Sequence, residues 1–100
     1  MIEVHIMQDS LMVKGHAGYA PSGQDIVCAA ISTLVQVFIA SMEQLTTDNL
    51  KCDISAGNAV IRYRNLTESA HILLDSFFIG IRAVADEYPD YVKIEQACNS

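Results

Sequence analysis

Basic residues are scarce in this chain: 6 Lys and Arg stand against 12 Asp and Glu, a formal net charge of −6. Nucleic-acid binding normally needs a basic patch, so direct contact with nucleic acid is disfavoured and a basic protein partner suits the charge better. Cysteine is limited to Cys28, Cys52 and Cys98. No CxxC pair occurs and no histidine spacing suits zinc, so neither a metal nor a cofactor is expected. An odd set of dispersed thiols fits a reducing cytoplasm rather than a disulfide framework. The opening MIEVHIM has no basic n-region and alternates at once, which predicts a strand rather than a signal peptide. Repeats, linkers and low-complexity runs are lacking. The longest charge-free stretch, residues 26–42, contains Ser32, Thr33, Gln36 and Ser41 and is short for a bilayer. It predicts a buried helix, not a membrane span.

What is present is apolar content of 51% in 100 residues, enough for one domain over 1–100 with a single core. Ile2, Val4 and Ile6 alternate with Glu3 and His5, a half-buried strand; Gln8-Asp9-Ser10 turns the chain and Leu11–Gly15 returns. A helix is predicted over Asp25–Leu45, with a stripe of Val27, Ile31, Leu34, Phe38, Met42 and Leu45. Ile26, Ala30, Val37 and Ile39 are surplus to that stripe and suggest a partner subunit. Leu50, Cys52 and Ile54 alternate toward a core, with Cys52 as packing. Gly57-Asn58 signals a tight hairpin, and Ala59–Arg64 returns with Val60, Arg62 and Arg64 on one face. Asn65 and Glu68 have capping-box spacing ahead of a second helix with Leu73, Leu74, Phe77, Ile81, Val84 and Tyr88 inward. His71 falls on its outer side. Tyr88-Pro89 ends it, Tyr91–Glu95 forms a last strand, and Cys98 sits in a fraying tail. The order ββαββαβ predicts an α+β fold: a two-layer α/β sandwich with two helices on a mainly antiparallel five-stranded sheet.

The chemistry concentrates between Gly15 and Ser32, GHAGYAPSGQDIVCAAIS. His16 follows a strand, Gly18, Pro21 and Gly23 shape a loop, and Asp25 is placed to cap the helix. Cys28 falls in the first turn, where backbone amides lack helical partners and the helix dipole favours a thiolate. The pattern fits a nucleophile–base pair, with free amides around Cys28, Ala29 included, available to an oxyanion. The plainer reading makes Cys28 a small buried hydrophobe and His16 structural. Ser32 shares a face with Cys28; it either bonds a carbonyl one turn back or supports the thiol. Asp25 reads better as a cap than as an orienter of His16, because a free carboxylate beside the thiol would oppose its ionisation.

Gly15-His16-Ala17, Gly23, Asp25-Ile26-Val27-Cys28-Ala29-Ala30 and Ser32 together resemble the signature of the bacterial ribosomal-processing cysteine proteases (the Prp family). The resemblance implies a dimeric cysteine endopeptidase that removes the N-terminal extension of a large-subunit ribosomal protein, the twenty-seventh by the usual count. It places nucleophile and general base on Cys28 and His16, and matches Asp25 and Ser32 to further motif positions. The glycine loop reads as a lid, with Gly18 and Gly23 absorbing the backbone change as it folds over a peptide, which the resemblance implies is extended. The segment Tyr19-Ala20-Pro21-Ser22 departs from the pattern, Pro21 stiffening the loop. A thiol redox protein and a non-catalytic adaptor for a ribosomal protein are the alternatives.

Overall fold

The computed structural model describes residues 1–21 and 23–96, so Ser22 and Cys98 lie outside the described residues. Its elements are β1 (Ile2–Ile6), β2 (Ser10–Lys14), α1 (Ile26–Leu45), β3 (Lys51–Ser55), β4 (Asn58–Arg62), α2 (Glu68–Glu87) and β5 (Val92–Gln96), in the predicted ββαββαβ order. The five strands form one sheet in the order β3-β4-β2-β1-β5. The β1–β2, β2–β4 and β3–β4 pairs are antiparallel, and β1–β5 is parallel.

Strand alternation decides which face meets the helices. Val4 pairs with Val13, and Leu11 with Ile61, so a row of branched side chains crosses from strand to strand on one side. All four are buried there. Onto that face α1 lays Val27, Ile31, Val35, Phe38 and Met42, and α2 lays Ala70, Leu74, Phe77 and Ile81, spacings of three and four that keep one helical stripe inward. Phe38 and Phe77 join the helices, their ring centroids 5.1 Å apart. Each such side chain contributes roughly 1.5–3 kcal/mol by leaving water. By length and composition α1 is apolar enough to cross a membrane. Its inward stripe of Val27, Ile31, Val35, Phe38 and Met42 lies in the core.

Several expected details differ. On α1 the inward residue is Val35; Leu34 is half-buried and turned toward Gly80 of α2, and Leu45 at the helix end is 67% exposed. Alternation predicts a core position for Cys52, but the residue is exposed, as is Ile54 at 57%. Both pair with buried residues, Cys52 with Ile61 and Ile54 with Ala59. They face the helix side, yet β3 is the outer strand and every residue of it is exposed. The β3–β4 turn is centred on Ala56-Gly57, with Asn58 already in β4. The cap of α2 is Thr67, not Asn65: its side chain accepts from the Ala70 amide, while Asp48 accepts from both the Thr67 amide (2.9 Å) and hydroxyl (2.6 Å). That outside carboxylate fixes Thr67 as the first-turn oxygen.

Candidate active site

The site forms where β2 ends beside the first turn of α1. Gly15 leaves β2 with φ +95°, and a Cβ there would collide with the Met1 carbonyl oxygen, so the chain passes under β1 only as glycine. Its amide donates to the Gly57 carbonyl (2.8 Å), tying this exit to the β3–β4 turn. His16 follows, exposed, and Ala17 returns to the core. The Ala17 amide donates to Cys28 Sγ at 3.3 Å. Cys28 is the third residue of α1 and half-buried: it packs against the core on one side and borders open space on the other.

Asp25 is the N-cap. One carboxylate oxygen accepts from the Val27 (3.0 Å) and Cys28 (2.9 Å) amides, the other from Tyr19 (3.1 Å) and Ala20 (3.4 Å). The Cys28 amide is the main cause that holds this carboxyl below its ordinary value; desolvation opposes it, and the Ala20 and Tyr19 amides add to it. The Ala29 amide donates to the Asp25 carbonyl (3.0 Å). The expectation of free amides around Cys28 is therefore corrected: those of Val27, Cys28 and Ala29 are engaged. The donor aimed at the sulfur comes from the loop, at Ala17. No local sequence signal marks that amide, because it is backbone and its alignment depends on where β2 ends.

Two clefts share Cys28 in their walls. One, of about 240 Å³, has apolar walls that include Val13, Ile31, Val35 and Ile54. The other, of about 620 Å³, is bordered by Gly18, Ala20, Gly23, Gln24 and Asp25. His16, Cys28 and Ser32 line both. Among the described residues the Ser32 hydroxyl makes no bond to a carbonyl one turn back; it is exposed at the junction. Gly18 and Gly23, at φ +69° and +86°, lie on the exposed loop with open space around them. The loop is anchored from the far side of the chain. Tyr19 packs edge-on against Tyr88 (5.6 Å between centroids) and Tyr91 (5.1 Å), an aromatic cluster that joins residues far apart in sequence and escapes any local reading.

This arrangement brings a half-buried thiol at a positive helix end, an amide on its sulfur and an imidazole to one opening, the parts that nucleophilic thiol chemistry needs. The family described as Cysteine protease Prp matches residues 1–93. The ribosomal processing cysteine protease Prp of Mycoplasma genitalium is 30% identical over 100 aligned positions, covering 96% of each chain. Its namesake in Mycoplasma pneumoniae is 25% identical, covering 95% of this chain and 94% of its own. The essential ribosomal processing protease Prp from S. aureus, solved with a covalently linked product peptide, shares the fold with a TM-score of 0.93 at 22% identity, covering 97% of this chain and 100% of that one. A Streptococcus mutans crystal structure is 32% identical with a TM-score of 0.76, covering 97% and 96%. The chain belongs to the Prp family of ribosomal processing cysteine proteases.

Proposed function

We propose that this cysteine protease cuts the N-terminal extension from the twenty-seventh protein of the large ribosomal subunit, in the cytoplasm, with Cys28 as nucleophile and His16 as general base. The observation that carries the reading is the junction of the two clefts at Cys28, with His16 on the rim of both. An extended peptide laid through them presents its scissile carbonyl to the sulfur. His16 takes the thiol proton, Sγ bonds the carbonyl carbon, and the imidazolium returns the proton to the leaving amine as the C–N bond breaks. Water, deprotonated by His16, then adds to the thioester carbonyl; the C–S bond breaks, the carboxylic product leaves and the imidazolium returns its proton to Sγ. Proton transfer of this kind is worth roughly 10²–10⁴ in rate. The Ala17 amide stabilises the thiolate and stays within reach of the oxyanion, a role that helix position alone would give to the α1 amides. Asp25 organises loop and helix rather than His16, because four amides already occupy its two oxygens.

The acidic chain, at −6, suits a basic ribosomal substrate. Ile26, Val37, Ile72 and Ile79 are exposed on the helices and supply an apolar surface for a second copy of the chain. The test is incubation of the purified protein with the ribosomal precursor and measurement of product mass. The wild type removes the extension, and Cys28→Ala and His16→Ala leave the precursor intact. Cleavage by Cys28→Ala, or precursor binding without cleavage by the wild type, overturns the assignment.

A further inference from the structure

A catalytic histidine needs something to set its ring. In this site that element is not a carboxylate. Asp25 is committed to four amides, and among the described residues the His16 imidazole makes no side-chain hydrogen bond. The ring meets the β3–β4 turn instead. A Cβ built on Gly57 falls 2.9 Å from Nε2, 3.2 Å from Cε1 and 3.6 Å from Cδ2, so one edge of the imidazole lies directly over this glycine. The same residue accepts the Gly15 amide through its carbonyl, 2.8 Å away, one position before His16. One turn residue therefore fixes the backbone that carries His16 and forms the floor on which its ring rests.

We propose that Gly57 is the positioning residue for His16: its bare Cα lets the imidazole lie low enough to face Cys28, and any side chain there lifts the ring off line. The inference deepens the dyad reading and rests on it. Because the colliding group is an exposed side chain, a Cβ at 57 is accommodated by rotating His16 rather than by breaking the sheet. The fold tolerates the change and the chemistry does not. A displacement of about 1 Å at a catalytic group can cost about 10² in rate.

Gly57 also has φ +72°, so two variants separate the collision from turn strain. Alanine introduces both the collision and the strain; asparagine adopts the left-handed region readily and introduces only the collision. We expect Gly57→Ala and Gly57→Asn to lower kcat on a precursor peptide by about 10²-fold; Gly57 also borders the smaller cleft, so kcat and the pH profile of alkylation, not KM, carry the test. Gly57→Asn should melt close to the wild type. The pH profile of Cys28 alkylation by iodoacetamide should move in both variants in the same direction as in His16→Ala. If Gly57→Asn recovers activity together with stability, strain alone is at work and the assignment falls. It falls too if both variants cleave normally while His16→Ala does not. Cleavage that survives His16→Ala sinks the dyad reading itself, and this inference with it.

Discussion

Replacing Tyr19 by alanine should unlatch the loop between β2 and α1 without unfolding the protein. Tyr19 makes two edge-on aromatic contacts, to Tyr88 and Tyr91, and is itself 41% exposed. Such pairs are worth about 0.5–1.5 kcal/mol each beyond area burial. With partial exposure placing both below the upper limit, the latch contributes about 2 kcal/mol in total. At 1.4 kcal/mol per factor of ten, the open loop should become roughly 30-fold more populated. The Tyr19 and Ala20 amides report this directly, because the Asp25 carboxylate protects them when the loop is down. Hydrogen exchange followed by mass spectrometry should show residues 18–24 exchanging about 30-fold faster in Tyr19→Ala, with the core strands unchanged. Tyr19→Phe keeps both ring contacts and should exchange as the wild type does. Equal loop exchange in Tyr19→Ala and wild type would refute the latch; a matching rise in the core strands would show that the ring holds the fold, not the loop.

Asp25→Asn should keep the α1 cap, since Asn and Asp cap comparably, but turn an amide nitrogen toward the Tyr19 and Ala20 N–H groups. Loop exchange should rise and cleavage fall while helix content by circular dichroism holds; unchanged loop amides with lost activity would instead restore the orienting role for His16. Asp25 and Asp48 both titrate below their ordinary value of 3.8 in the fold. A lowered folded-state value means that their stabilisation is complete above the unfolded value and disappears as pH falls through the folded one. Exchange at Tyr19 and Ala20 should stay slow down to about pH 4 and rise only in stronger acid. Phe77→Ala, which removes the ring between the helices, should cost about 3–5 kcal/mol in urea melts. A cost below about 1 kcal/mol would show that the two helices do not share one core.

Much of this architecture is legible in the sequence because its signals are local. Ile2, Val4 and Ile6 alternate within five residues, and Asp25 sits one residue before the apolar run it caps. Strand type and helix start follow from such spacing whatever the rest of the chain does. The misplaced residues depend on distant neighbours. Cys52 and Ile54 alternate like core residues, but β3 becomes an outer strand only because β4 pairs with β2 on its other side. Capping-box spacing points to Asn65, but Asp48, nineteen residues before Thr67, holds Thr67 in the cap position instead. In the site, the order His16, Gly23, Asp25, Cys28 is visible as chemistry. The amides that Asp25 consumes, the one that Ala17 supplies and the glycine beneath the imidazole are set by how loop, helix and turn converge. No single stretch of sequence carries that information.

The parallel partnership of β1 with β5 has a consequence for how the molecule is made. β1 is synthesised well before the neighbour it pairs with in parallel, since β5 follows it by some ninety residues. Tyr91, which clasps Tyr19, arrives in that same late segment. Long-range pairings of this kind form slowly, because the intervening chain must be brought together before the contact repays it. Maturation of the loop clasp is thus deferred until the final strand has been delivered, and a truncated translation product lacks both the sheet's last rung and the ring that keeps the loop seated.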